Sequence, residues 1–202
     1  MPPKSRKGLL VVLEGIDGSG KTTQARRLLR RLRRRGYKAA FFREPTRGKW
    51  GREIKRQAAR ADSLTPEQEL ELFVKDRREN VAKNLMPALA AGKVVVLDRY
   101  YFSTIAYQGA KGLDAGRIRR LNEAFAVPPD LVVVLDVDAG AGLARIRGRK
   151  TRDELFERED YLVRVREIFR GFKGPRIVHL DGRLDPRAVS QAIWRNVQPL
   201  LR

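Results

Sequence analysis

The segment Gly15-Ile16-Asp17-Gly18-Ser19-Gly20-Lys21-Thr22 constrains this chain more than any other. It meets every fixed position of the pattern G-x-x-x-x-G-K-[ST]. Its flanks agree. Leu9-Leu10-Val11-Val12-Leu13 reads as a buried strand, and Thr23 to Arg35 reads as a helix. A glycine-rich turn between strand and helix aims successive backbone N–H groups into one concavity, at the positive end of the helix dipole. An anion, phosphate above all, binds such a place. Gly15, Ile16, Asp17, Gly18, Ser19, Gly20, Lys21, Thr22 and Thr23 are therefore the expected nucleotide cradle. Lys21 would reach the outer phosphates, and the Thr22 hydroxyl would hold Mg²⁺.

The remainder of the chain extends this β–α unit. Apolar, β-branched runs at Lys38–Arg43, Val94–Asp98, Leu131–Asp136 and Arg176–Leu180 join Leu9–Glu14 as candidate strands. Between them lie amphipathic stretches near Gly51–Ala61, Pro66–Ala91, Ala115–Phe125, Gly140–Arg149, Glu157–Phe172 and Pro186–Leu200. Thr65-Pro66-Glu67-Gln68 reads as a capping box that starts one of them. Alternation of this kind predicts an α/β fold, a five-stranded parallel sheet with helices on both faces. The 202 residues suit a single domain spanning 1–202. Residues 147–159 are almost all charge around Leu155 and Phe156, which predicts a mobile lid rather than core. Ligands of such sheets sit at the carboxyl ends of the strands. The groups following each strand, Arg43-Glu44-Pro45, Asp98-Arg99-Tyr100 and Asp136-Val137-Asp138, should thus converge on the glycine-rich loop.

Composition narrows the function classes. There is no Cys, so no disulfide and no thiolate metal site, and one His, His179, excludes a multi-His centre. No apolar run approaches a membrane span and no signal-peptide pattern opens the chain, so a cytoplasmic protein is expected. The net charge of +20 is densest at Arg26, Arg27, Arg30, Arg31, Arg33, Arg34 and Arg35. Ala25, Leu28, Leu29 and Leu32 form the apolar stripe of the same helix, so the arginines fall mostly on its outer face. No base-reading motif accompanies them. Solvated surface, with only non-specific nucleic-acid contact, is the expectation.

Phosphate-loop proteins place a carboxylate near the metal at a strand end. Asp98 and Asp136 both qualify, and Asp98 is favoured because Arg99 follows it; Asp136 and Asp138 read equally well as helix caps. Arg147, Arg149 and Arg152 in the lid suit phosphoryl transfer, because arginines closing over the transferred group stabilise its charge and exclude water. A solvated charge run is the plainer alternative. Phe73 and Arg77 are four apart on one predicted helix face, where ring and guanidinium could sandwich and address a planar base. Core packing and solvated surface are the plainer readings of that pair.

These residues, with Leu13-Glu14, Leu72, Ser103 and Ala106-Tyr107-Gln108-Gly109, occur in an order that resembles the thymidylate kinases. These dTMP kinases belong to the P-loop nucleoside-monophosphate kinases, and the likeness is greatest to archaeal and thermophilic members. It spans Leu9 to about Leu180. It implies ATP-dependent phosphorylation of dTMP to dTDP with Mg²⁺, in a homodimer. It further implies that Asp17 accepts from the sugar 3′-hydroxyl, that Phe73 stacks on thymine, and that Arg77 and Gln108 address the base. Tyr107 would favour deoxyribose, Arg99 with Arg43 would bind the acceptor phosphate, and Thr22 and Asp98 would hold the metal. Members with glycine at the position of Gly18 take a catalytic arginine from the lid. Thr46-Arg47-Gly48-Lys49-Trp50 is more basic than the bacterial pattern. Another acceptor (UMP, dUMP or thymidine), a nucleic-acid-stimulated ATPase and a non-catalytic paralogue remain open at this stage.

Overall fold

In the computed structural model, which describes residues 8–58, 64–145 and 152–201, the five apolar runs form β1 (Leu9–Glu14), β2 (Ala39–Arg43), β3 (Val94–Asp98), β4 (Leu131–Asp136) and β5 (Ile177–Asp181). All pairs are parallel, in the order β2-β3-β1-β4-β5. Successive side chains of a strand point to opposite faces, and here both faces are covered. Val11, Leu13, Val96, Val133 and Leu135 pack beneath α1 (Lys21–Arg34) and α9 (Pro186–Val197). Leu10, Val12, Val95, Leu97, Val132 and Val134 face the other layer, built from α3 (Pro66–Asn80), α5 (Tyr101–Gly109), α6 (Ala115–Glu123) and α8 (Arg152–Gly171). That is why the strands read as unbroken apolar runs rather than alternating ones.

The remaining helices are α2 (Lys49–Ala58), α4 (Met86–Ala90) and α7 (Ala139–Arg145). The capping box at Thr65 is present: Gln68 N–H donates to Thr65 Oγ1 at 3.3 Å, and Thr65 N–H to Gln68 Oε1 at 2.9 Å. The predicted helix 66–91 is continuous but uneven. A π turn, Val81–Leu85, separates α3 from α4, with Met86 N–H donating to the Val81 carbonyl. Pro87 donates no N–H and its ring crowds the carbonyl four residues back; the wider turn before it absorbs both effects.

Two differences from the sequence reading concern the site. Helix α5 lies outside the amphipathic stretches read from the sequence; nearly all of its residues are buried, so it has little wet face to mark it. Helix α8 begins at Arg152 rather than near Glu157. Arg147 and Arg149 lie outside the described residues, and Arg152 is the first residue of α8. The parallel register sets Arg43 and Leu13 on either side of Asp98, so the strand ends meet along one edge.

Candidate active site

Three glycines give the loop after β1 its path. Gly15, Gly18 and Gly20 have φ of +133°, +77° and +93°, where side chains are strained. At Gly18 space also forbids a side chain, since a Cβ there would lie 2.0 Å from the Gly142 carbonyl on α7. The Arg145 guanidinium, at the end of α7, instead donates to the Gly18 carbonyl at 3.3 Å and to the Gly182 carbonyl at 3.2 Å. Arg145 was not among the sequence candidates.

The loop holds its own lysine. The Lys21 ammonium donates to the Gly15 carbonyl (2.8 Å), the Ile16 carbonyl (2.6 Å) and Ser19 Oγ (3.3 Å). Burial pushes its pKa down and Arg99 adds to that, while Asp17, Asp98 and Glu14 pull it back up. Next to it, Thr22 Oγ1 donates to Asp98 Oδ2 at 2.5 Å. Asp98 is fully buried, and its other oxygen, Oδ1, has no hydrogen-bond partner. A buried, unpartnered carboxylate oxygen beside a hydroxyl suits a hard cation that brings its own waters and phosphate oxygens. Among the described residues no group of three or more His, Asp or Glu side chains forms a fuller cage. Asp136, the other candidate, is occupied: Arg166 on α8 donates to both its oxygens, at 2.5 and 3.0 Å. That pairing holds its pKa below the usual range. Asp138 accepts from Ala141 N–H and caps α7.

Arg99 follows Asp98 in a left-handed conformation, φ 71°. Its guanidinium donates to Asp17 Oδ1 at 2.5 Å and to Ser103 Oγ at 3.0 Å, and lies over the Tyr107 ring at 5.2 Å. The Tyr107 hydroxyl accepts from Asp17 N–H at 3.0 Å. Burial raises its pKa, and Asp17 adds to this against Arg99. Beneath this group lies Glu14, which is fully buried. Its carboxylate accepts from Tyr100 N–H (2.7 Å), Ser103 N–H (3.2 Å) and Ser103 Oγ (2.5 Å). Burial raises its pKa, opposed by Ser103, Arg99, Tyr100 and Lys21. Glu14 therefore clamps the turn that carries Asp98 and Arg99 and caps the start of α5. A charged residue ending an otherwise apolar strand was the available signal for it.

Two clefts open here. The larger, about 890 Å³, is lined by Phe73, Arg77, Tyr107, Gln108 and Arg47, among others. The smaller, about 560 Å³, runs over the glycine-rich loop to Arg145, Arg183 and Leu184. Asp17, Thr22, Arg43 and Arg99 line both, so the clefts meet end to end at these four residues.

The larger cleft has a polar floor. Arg77 is 1 % exposed, and its guanidinium donates to Glu44 Oε2 (2.7 Å), Asn122 Oδ1 (2.6 Å) and Thr104 Oγ1 (3.0 Å). Burial pushes Glu44 up while Arg77 and Asn80 oppose it. Three elements thus fix one guanidinium in the cleft wall. Gln108 donates from Nε2 to Glu69 at 2.9 Å, while its buried Oε1 has no partner. Lys111 pairs with the same Glu69 carboxylate. Phe73 is half-buried and lines the same space. Tyr161, from α8, lines it too and donates to the Tyr107 carbonyl at 2.8 Å. No spacing rule in the sequence points to Glu44, Thr104 or Tyr161, because their partners are distant in the chain. Conversely, the structure brings Asp17, Arg43, Phe73, Arg77, Arg99, Tyr107 and Gln108 to one cleft.

The family model for thymidylate kinase matches residues 13–193. The chain belongs to the thymidylate kinase family. Its similar relatives span archaea and bacteria. A probable thymidylate kinase of Archaeoglobus fulgidus is 48 % identical over 161 residues, 80 % of each chain. A thymidylate kinase of Akkermansia muciniphila is 46 % identical over 87 % of this chain and 84 % of its own. One from Xanthomonas oryzae pv. oryzae is 45 % identical over 90 % and 79 %. The expected α/β fold with a five-stranded parallel sheet is the one this thymidylate kinase family member adopts. No helix among the described residues is long and apolar enough to cross a membrane.

The clamp at Glu14 yields a prediction. Glu14→Gln keeps the shape but removes the charge and replaces the oxygen that accepts from Ser103 Oγ with an NH₂, so the hydroxyl must turn round. It is expected to raise the KM for dTMP, but not for ATP, at least about tenfold, roughly the loss of one charged hydrogen bond. The KM for ATP should change far less. Steady-state kinetics with each substrate varied checks this, and equal changes in both constants would remove the clamp from the argument.

Proposed function

We propose that this chain transfers the γ-phosphoryl group of ATP to the phosphate of dTMP, giving ADP and dTDP in one in-line step. The observation that carries this reading is the end-to-end meeting of the two clefts at Asp17, Thr22, Arg43 and Arg99. One polyanion lies on the glycine-rich loop and the second enters from the larger cleft, so donor and acceptor phosphates face each other across the shared residues.

ATP binds Gly15 to Thr23, with Lys21 on its outer phosphates. Thr22 and Asp98 would hold Mg²⁺, a role that the buried Asp98 Oδ1, without a hydrogen-bond partner, supports. When bound, the ion neutralises charge on the transferred group and its leaving oxygen. Phe73 stacks on the thymine, Arg77 and Gln108 address its polar edge, and Tyr107 packs against the sugar. Asp17 accepts from the 3′-hydroxyl. Arg99, with Arg43, holds the acceptor phosphate. That phosphate is already anionic, so no strong base is required. Catalysis is positioning plus stabilisation of spreading charge. We assign stabilisation of the charge on the transferred group to Arg147, Arg149 and Arg152 of the segment 147–159, and Arg145, at the Gly18 carbonyl, precedes them in the chain. We assign the enzyme to the cytoplasm and to a homodimer on the family resemblance.

ADP formation with Mg-ATP should be measured against dTMP, dUMP, UMP, dCMP, AMP, thymidine and no acceptor. Strong preference for dTMP is expected. Activity led by UMP or dUMP would overturn the roles of Tyr107 and Phe73. Phe73→Ala is expected to raise the KM for dTMP roughly 10–100-fold, the worth of a lost base stack, and to leave the KM for ATP within a few-fold. Parallel rises would show that Phe73 serves packing rather than the base.

A further inference from the structure

The charge of this protein is not spread evenly. No Asp or Glu occurs from Gly18 to Arg43, nor from Pro186 to the C-terminus. These two stretches include α1 and α9, which pack together over one face of the sheet. That layer presents arginines and no carboxylate from either helix, while the opposite layer carries Glu69, Glu71, Glu79 and Glu123 among its basic residues. Among the described residues, none of the α1 arginines forms an ion pair. Arg26, Arg30 and Arg34 succeed one another at one-turn spacing on α1, and all are exposed. Like charges at that spacing destabilise a helix, so the sequence sustains a repulsion that no ion pair among the described residues relieves.

Part of the ridge is also held in place. Trp194 of α9 is only 5 % exposed. The guanidinium of Arg31 lies 4.3 Å from its ring centroid and that of Arg35 lies 4.9 Å away. Stacked guanidinia lose rotamer freedom yet keep their N–H edges free for anionic oxygens. Arg195, next in sequence to Trp194 on α9, is exposed, and Arg33 donates to the Ala39 carbonyl at 3.2 Å. The partner of such a surface is a repeating anion. An anionic lipid surface also attracts arginines, but a firm seat on it adds exposed apolar side chains that insert. Among the described residues the large exposed apolar side chains, Met86, Leu121, Val163, Leu184 and Leu200, lie outside both helices, the last two beyond the ends of α9.

We infer that the α1–α9 face is a docking surface for the phosphodiester backbone of duplex nucleic acid, bound without regard to sequence. Guanidinium–phosphate pairs form along the ridge and release counterions from the duplex. The bases are not read, since no base-reading motif accompanies the arginines. The contact lies outside the nucleotide clefts, except at Arg26, which lines the mouth of the larger one.

The test is fluorescence anisotropy of a labelled DNA duplex titrated with the full chain across a salt series. Arg30→Glu/Arg34→Glu/Arg195→Glu reverses charge on the ridge, and Arg30→Gln/Arg34→Gln/Arg195→Gln only removes it. Arg117→Glu/Arg120→Glu/Lys173→Glu makes the same charge change at exposed positions away from α1 and α9. The parent chain is expected to bind with log K falling linearly in log salt. The Gln triple should lower that slope by about three and weaken binding about 100-fold at low salt. The Glu ridge triple should weaken it further, the distant triple far less, and kinase turnover should be unchanged in all three. Equal losses in the ridge and distant Glu triples would overturn the proposal in favour of diffuse net charge. So would absent DNA binding by the parent chain, or ridge-dependent binding to phosphatidylserine vesicles but not to DNA.

Discussion

Lys21→Ala is expected to lower turnover by about 10²–10³-fold or more, the effect of removing one preorganised charge from a phosphoryl-transfer site, while the protein stays folded. The fold is insensitive because the Lys21 ammonium touches only its own loop, at the Gly15 and Ile16 carbonyls and Ser19 Oγ. Its removal opens no apolar core. The chemistry is sensitive because no other cation occupies that place. Arg99 is committed to Asp17 and Ser103, and Arg145 reaches the carbonyl of Gly18 from the outer side. The measurement is kcat at saturating ATP and dTMP, with a thermal melt of the same sample. Turnover within tenfold of the parent would take Lys21 out of the mechanism. A collapsed melting temperature would assign it to structure instead.

Arg99→Ala should lower kcat/KM for dTMP by about 10³. The informative comparison is Arg99→Lys, which should recover little of the loss. A lysine keeps the charge, but a single ammonium cannot reproduce the planar fork that serves Asp17 and Ser103 together and that the proposed phosphate contact also requires. The backbone adds to the demand. Residue 99 sits at φ 71°, a conformation that costs a non-glycine residue roughly 1 kcal/mol or more and is kept where the surroundings enforce it. Here the enforcement comes from Glu14, which grips Tyr100 N–H and Ser103 on the far side of the turn. Near-normal kcat/KM for dTMP in Arg99→Lys would show that charge alone suffices and would defeat the geometric argument.

The sequence by itself determined the frame. The order of glycines with Lys21 and Thr22, the unbroken apolar runs and the capping box at Thr65 are local signals, each readable from near neighbours. They specified a parallel sheet and the edge along which the candidate site lies. Asp98 and Arg99 were legible because they directly follow a strand. Tertiary structure decided whatever depends on groups far apart in the chain. It separated Asp98, left with a buried free oxygen beside Thr22, from Asp136, bound by Arg166. It revealed α5, whose burial on nearly every side left little wet face to mark it. It also showed Arg77 held by Glu44, Asn122 and Thr104, and Arg99 held in place through Glu14. These contacts span tens of residues and arise only when the sheet stacks its strand ends side by side, which is information that spacing along a chain does not carry.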